Sequence, residues 1–203
     1  SKALEELSRY EEAHQVIGKY EDARALSGLL PRTKGRVKLR LGWVNSFLRN
    51  HPKAIASLNE ARRLFLEHGD DLGVSEAAYA LGRTYIEINE FRIARDHLVA
   101  ATNVQRTALD RELLAQIYRR LGMVDFSEGA FTSSKEHYLK ALELAEGSRN
   151  INLIGGILLD LGTTIFRGFP GENSESARYI ERAIGYLDKG GHKDHLALAY
   201  NNL

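Results

Sequence analysis

The sequence predicts an all-α solenoid, a stack of antiparallel helix pairs about five repeats long. Two observations support this fold class. Helix-forming Ala, Leu, Glu and Arg are abundant, and only three residues are Pro. A Leu-Gly pair also recurs with a period of 40 residues, and a period between 20 and 50 residues is typical of solenoids. The copies are Leu41-Gly42, Leu81-Gly82, Leu121-Gly122 and Leu161-Gly162.

Small and apolar residues follow each glycine at fixed distances. Twelve, sixteen and nineteen residues after the glycine come a small, a large and a small residue, which would share one face of a second helix. Because Gly inside a helix costs about 1 kcal/mol relative to Ala, its recurrence predicts that two helices approach closely there. These sets are Ala54, Leu58 and Ala61; Ala94, Leu98 and Ala101; Ser134, Tyr138 and Ala141; and, shifted by two, Ser176, Ile180 and Ala183.

This pattern resembles the tetratricopeptide repeat, a helix-turn-helix unit with a Leu-Gly pair in the first helix, an aromatic residue at the turn and two alanines in the second helix. The resemblance covers nearly the whole chain and implies a right-handed superhelix whose first helices line the concave side. The period of 40 exceeds the 34 of the minimal repeat, and it is similar to the repeats of bacterial signal-transduction ATPases, transcriptional regulators and kinesin light chains. Three residues depart from the family pattern: Ser134, Ser176 and Asp125, the last standing where Tyr is usual.

The chain is predicted to be a single repeat domain over residues 1–203, a fragment of a longer array. Its units are 1–32, 33–72, 73–106, 107–148 and 149–191, and another begins at 192–203. In the first unit, a truncated helix turns at Ser8-Arg9 into a second helix that reaches about Leu26 and is ended by Gly28 and Pro31. Truncated ends would expose apolar faces, through which two copies could pair as a homodimer.

Caps and turn residues define the later elements. Thr33 and either Thr107 or Asp110 are predicted helix caps, and Pro52 opens a helix, where its missing N–H is harmless. Turns are predicted at 69–71, 89–90, 127–133, 147–148 and 168–174. The most apolar helix, 151–166, is predicted to be buried on most sides, and 176–189 is the last complete second helix.

Composition and motifs argue against several classes of function. The net charge of +1 gives no electrostatic case for nucleic acid, and no apolar run is long enough for a membrane span. The absence of Cys excludes disulfides and fits a reducing cytoplasm. Without a phosphate-binding, dinucleotide-binding or zinc-protease motif, we predict no catalytic residue, no cofactor and no metal. His192, Asp194 and His195 are interpreted as a solvated turn.

The predicted binding surface is the concave face of the first helices, which faces away from each helix's partner. Its aromatic and Arg side chains are typical of protein-binding hot spots. The predicted partner is therefore an acidic-hydrophobic peptide or another domain of the parent protein. The alternative is that these side chains are buried between repeats. The candidates are Arg36, Leu39, Trp43, Phe47, Tyr79, Arg83, Ile86, Arg119, Met123, Phe126, Leu159 and Phe166.

The function predicted from these features is a non-catalytic scaffold that binds a protein or peptide. The resemblance suggests that it is the sensor or interaction region of a larger bacterial signalling or transcription-regulatory protein. Two other classes are kept open: a self-association module, and a regulator or enzyme of the repeat-containing phosphatase type.

Overall fold

The computed structural model describes residues 2–102, 110–190 and 196–199. The regular elements in these ranges are all helices, which confirms the predicted all-α fold class. The chain divides into two compact units, Ser1–Leu109 and Asp110–Leu203. Within the described ranges, every helix falls short of the length or apolar character that a bilayer-spanning segment requires. That the units together form one domain of a longer array stays a prediction.

The first unit contains an N-terminal helical segment followed by two helix pairs. α3 packs on α4 and α5 packs on α6, while α4 joins the two pairs by packing on α5. α1 packs on α3. The elements are α1 (Lys2–Ile17), a 3-10 turn (Gly18–Glu21), α2 (Ala23–Leu26), α3 (Pro31–Phe47), α4 (His51–Glu67), α5 (Asp71–Glu87) and α6 (Phe91–Thr102).

The second unit contains two further helix pairs and a short helix at 196–199. α7 packs on α8 and α9 on α10, and α8 packs on α9. The first helices of the four described pairs begin at residues 31, 71, 111 and 151, so the 40-residue period of the sequence is the period of the structure. The elements are α7 (Arg111–Ser127), α8 (Phe131–Ala145), α9 (Ile151–Gly168) and α10 (Asn173–Lys189).

In three of these pairs, the two helices are joined by a turn of three residues whose middle residue has a left-handed backbone conformation. The backbone φ is 58° at Arg49, 62° at Asn89 and 77° at Gly129. The next N–H then reaches a carbonyl five residues earlier, as between Ala130 and Asp125 at 2.8 Å. This bond satisfies a carbonyl at the end of the first helix and reverses the chain. The turn predicted at 127–133 is therefore shorter, occupying residues 128–130.

The fourth pair is longer, which explains why its small and apolar residues are shifted by two positions. α9 has 18 residues where α7 has 17. The turn after α9 occupies residues 169–172, one residue more than the other turns. The two extra residues restore the packing of Ile180 against Gly162.

The Leu-Gly glycines are places of close helix approach, as predicted. A Cβ on Gly82 would lie 2.6 Å from Cγ of Leu98 and 3.2 Å from the carbonyl oxygen of Ala94. The two serines that depart from the family pattern use the same proximity. Ser134 Oγ–H donates to the Gly122 carbonyl at 2.9 Å, and the Ser176 hydroxyl donates to the Gly162 carbonyl at 2.8 Å.

The N-terminal segment differs from its prediction. α1 continues through Ser8 and Arg9, so the predicted turn there is wrong. No Gly or Pro interrupts the helix-forming sequence before Gly18, where the 3-10 turn replaces it. A second helix extending to residue 26 is also wrong, because Asp22 starts a separate helix by accepting a backbone N–H of its first turn at 2.8 Å.

The predicted helix caps have mixed outcomes. α3 begins at Pro31, two residues before Thr33, so the prediction that Thr33 caps it is wrong. Pro is suited to the first helical position because its φ is preset and that position needs no N–H partner. Asp110 caps α7 by accepting the Glu112 N–H at 3.2 Å. Thr107 lies outside the described residues, and α4 has Pro52 in its first turn as predicted.

The most apolar helix, α9, is buried on most sides, which confirms its prediction. Residues 153–159 are all buried. Its two extra glycines face different neighbours: a Cβ on Gly155 would lie 3.0 Å from Leu187 of α10, and one on Gly156 would lie 2.5 Å from the Arg119 guanidinium of α7. Small residues thus let α9 pack against two helices at once.

We expect Gly162→Ala to lower the free energy of unfolding by about 1–3 kcal/mol, because the new methyl group overpacks the pair. It would lie 2.7 Å from Cγ1 of Ile180 and 3.2 Å from the Ser176 carbonyl oxygen. Gly185 on α10 is the matched control, since no heavy atom lies within 4 Å of its added Cβ. Gly185→Ala should raise stability by about 0.5–1 kcal/mol. Urea unfolding followed by circular dichroism measures both, and equal responses would contradict the packing account.

Candidate binding clefts

The first unit has a cleft between α1 and α3 with a volume of about 720 Å³. Its floor is aromatic: Tyr10 stacks on Phe47 with ring centroids 4.0 Å apart and planes 10° from parallel. Arg9 and Arg40 also line it and are exposed. Neither guanidinium has a hydrogen-bond or ion-pair partner among the described residues. The remaining lining residues are Ala13, Ile17, Trp43 and Val44.

Trp43 and Phe47 continue into a cluster of aromatic side chains around Arg83. The Arg83 guanidinium lies 4.3 Å from the Phe47 ring centroid and 5.0 Å from that of Trp43. Trp43 also contacts Tyr79, with centroids 5.9 Å apart. Arg83 is held in turn by Glu87 at 3.3 Å. The cluster therefore holds the Trp43 and Phe47 side chains in one orientation, and preorganised side chains lose less entropy if a ligand binds.

Arg36 is turned instead toward the neighbouring repeat. Its guanidinium hydrogen-bonds Glu76, lies 3.5 Å from Asp70 and stands 5.1 Å from the centre of the Phe65 ring. Burial raises the pKa of the Asp70 carboxyl, but the Gly73 N–H, Arg36 and a second arginine together hold that pKa below its ordinary value. Arg36 thus ties α3 to α5 through the buried Asp70 carboxylate and the partly exposed Glu76 carboxylate.

The second unit has its own cleft, with a volume of about 310 Å³, between α7, α9 and the helix at 196–199. Three predicted site residues line it: Met123, Phe126 and Leu159. Phe126 is further held edge-on against Phe131, with centroids 5.6 Å apart. The other lining residues are Ser127, Tyr138, Asp160, Thr163, Arg167 and Leu198.

The remaining predicted site residues differ in exposure. Leu39 and Tyr79 are 5% and 6% exposed, so packing between helices describes them better than an open groove does. Arg119 donates through Nε to Asp160 at 2.7 Å and, like Arg36, bridges two first helices. Ile86 is partly buried, whereas Phe166 is 57% exposed.

Several residues that line the clefts are missing from the predicted set, among them Arg9, Tyr10 and Tyr138. The first two follow from the helix α1 that the sequence analysis divided. Tyr138 was recognised only as a packing residue. The sequence does contain a signal for Tyr138: it has a hydroxyl group at a position where the other described pairs have the aliphatic residues Leu58, Leu98 and Ile180.

A metal site has no support in the described part of the chain, where no cluster of three or more potential His, Asp or Glu ligands occurs. His192, Asp194 and His195 lie outside the described residues. Another histidine has a specific partner: His137 Nδ1 lies 2.5 Å from the buried carboxylate of Asp125. In the preceding pair the same two positions hold Tyr85 and His97, whose rings stack.

Comparison with known proteins supports the fold. No protein-family model matches the chain, and no curated protein matches it in sequence. Among solved structures, apo RapI superimposes with a TM-score of 0.84 at 17% identity, over 98% of this chain and 72% of RapI. Aspartyl phosphate phosphatase F from Bacillus subtilis gives 0.83 at 12% identity, over 98% of this chain. A Rap protein complexed with competence and sporulation factor gives 0.71 at 14% identity, again over 98%.

The fold is tetratricopeptide-like. The chain spans 52% of phosphatase F and 61% of the complexed Rap protein, so it corresponds to part of these molecules. Because the sequence identities lie between 12% and 17%, these comparisons show a similar fold and do not show a shared function. The helix pairs confirm the tetratricopeptide resemblance, and the narrower likeness to long-period families stays a prediction.

We expect Asp70→Asn to lower the free energy of unfolding by about 1 kcal/mol at neutral pH, because Asn can cap α5 but cannot pair with arginine. A depressed carboxyl pKa contributes stability above the ordinary value of 3.8 and loses it as pH falls through the native value. The difference between wild type and variant should therefore shrink in acid. Asp96→Asn, in an exposed pair with Arg92 at 3.7 Å, is the control and should change little. Urea unfolding across pH measures both, and a difference that grows in acid would contradict the assignment.

Proposed function

We propose that this chain is a non-catalytic scaffold that binds a polypeptide segment rich in apolar and acidic residues. The observation that carries the proposal is the same composition in both clefts. Each combines apolar or aromatic walls with arginine side chains that lack a partner among the described residues: Arg9 and Arg40 in the first cleft, and Arg167 in the second. Such cations favour carboxylates, while the walls favour apolar side chains.

The first cleft has the features of a binding hot spot. Trp43 and Phe47 are partly buried and held by Arg83, so their orientation is set in advance. Aromatic residues with arginine at the rim are the combination that most often dominates binding energy at interfaces. Because Arg40 has no ion-pair partner among the described residues, it can pair with a ligand carboxylate without first losing another interaction.

The structural neighbours agree with this proposal. One is a Rap protein complexed with competence and sporulation factor, which is a binding event on a related fold. We place the chain in a larger bacterial signalling or regulatory protein, as the part that recognises a partner. Another neighbour is named an aspartyl phosphate phosphatase, which favours regulation of phosphoryl transfer as the second candidate function.

Selection of random displayed peptides on the whole chain tests the proposal. The recovered peptides should carry Asp or Glu next to Leu, Ile or Phe. Trp43 is the only tryptophan of the sequence, so its fluorescence reports occupancy of the first cleft directly. Basic consensus peptides, or no enrichment, would contradict the proposal, and a mass that rises with concentration in light scattering would favour self-association instead.

Charge reversal at the rim gives a sharper prediction. Arg40→Glu should lower the affinity of the selected peptides about tenfold, as measured by the change in Trp43 fluorescence on binding. This loss of affinity should be smaller at high salt, because the interaction is electrostatic. Arg92→Glu is the matched control, since Arg92 is an exposed helix arginine of α6 that does not line the cleft. Equal losses for the two variants would show that net charge, and not the cleft, controls binding.

A further inference from the structure

Tyr138 occupies a position that the other described helix pairs give to an aliphatic residue. In each pair, a large side chain of the second helix lies on the Leu-Gly glycine: Leu58 on Gly42, Leu98 on Gly82 and Ile180 on Gly162. Tyr138 lies on Gly122, where a Cβ would be only 2.8 Å from Cε1 and 3.0 Å from Cζ. The ring thus packs directly on α7 at Gly122, and a tyrosine side chain is longer than the aliphatic side chains at the equivalent positions.

The phenol of Tyr138 borders the second cleft without a protein partner. The residue is 2% exposed and lines the cleft together with Met123 and Leu159. Among the described residues, none hydrogen-bonds its hydroxyl. Buried tyrosine hydroxyls usually have such a partner, so this one is available to an acceptor in the cleft, either water or a ligand.

Most other polar groups of the cleft already have partners. Ser127 Oγ–H donates to the Met123 carbonyl at 2.9 Å, and the Thr163 hydroxyl donates to the Leu159 carbonyl at 2.8 Å. Asp160 accepts from Arg119. Within the described part of the cleft wall, the Tyr138 hydroxyl and the exposed Arg167 guanidinium are left to meet a ligand.

We infer that the Tyr138 hydroxyl donates a hydrogen bond to a backbone carbonyl oxygen of a bound peptide whose apolar side chain packs on Met123 and Leu159. The inference rests on the proposed function and names its contact in the second unit. An acidic side chain of the same peptide pairs with Arg167 at the rim, where charge complementarity is available.

The electrostatics of the cleft support a donor role and a neutral acceptor. Burial raises the pKa of Tyr138 far above its ordinary value, so the phenol keeps its proton; the Asp160 carboxylate acts in the same direction, and Arg119 and Arg120 oppose it. Burial also disfavours an anionic acceptor at this depth. A peptide carbonyl carries a strong partial charge without a formal one, and it therefore fits both conditions.

The experiment is a differential selection on the whole chain. Displayed random peptides are selected for binding to wild type and against binding to Tyr138→Phe, which removes the hydroxyl and keeps the ring on Gly122. Peptides recovered this way should bind wild type about three- to tenfold more tightly than the variant, the usual effect of one hydrogen bond. Replacing the contacted amide of the peptide with an ester weakens the carbonyl as an acceptor, and it should reduce binding to wild type more than binding to the variant.

Tyr179→Phe is the matched control, because Tyr179 is also buried in this unit but does not line the cleft. It should leave the affinity of the recovered peptides unchanged. If peptides bind wild type but none distinguishes it from Tyr138→Phe, the inference is overturned while the scaffold proposal stands. If no peptide binds wild type at all, both are overturned. Circular dichroism and thermal melts confirm that the variants fold.

Discussion

The close approach of two helices at each Leu-Gly glycine is the contact on which the rest of the structure depends. Without a side chain at Gly42, Gly82 or Gly162, a large residue of the second helix settles directly on the first helix. This contact fixes how the first helix is rotated about its axis. Since successive helical residues are separated by a constant angle, it also decides which residues face the cleft. The position of the proposed binding surface is therefore a consequence of the packing.

Periodicity made the helix pairs predictable, and its absence explains the errors in the N-terminal segment. From residue 31 onward, the helices recur at steps of 40 residues, or 42 for α10, so most turns and helix starts could be inferred from several copies at once. The N-terminal segment has no Leu-Gly pair to set its phase. Ser8-Arg9 was therefore interpreted as a turn from one weak local signal, whereas uninterrupted helix formers continued α1 through it.

Helical spacing predicts which residues of the first helices share the candidate face, but it does not predict which of their side chains are accessible to a ligand. Arg36 and Arg119 lie on the predicted face, yet carboxylates of the next repeat hold them, at Glu76 and Asp160. These partners are 40 and 41 residues away, one repeat on. A repeat places such residues side by side, so opposite charges one period apart were the available signal. The contribution of α1 to the first cleft had no such signal, because it depends on how a non-repeating helix packs.

The pair formed by α7 and α8 has polar residues at several positions of the repeat pattern, and their polar groups differ in the hydrogen-bond partners they have. Asp125 has His137, and Ser134 has both the Gly122 carbonyl and Thr164 Oγ1 at 3.3 Å. These groups join helices together, because a buried polar group costs about 1–3 kcal/mol if left unpaired. The Tyr138 hydroxyl follows a different logic, since its ring already supplies the packing that Leu58 and Leu98 supply elsewhere. The oxygen is not needed for that contact, and the residue lines the cleft. Water can satisfy it in the free chain, so a ligand carbonyl gains affinity there only by replacing that water with a better-placed acceptor.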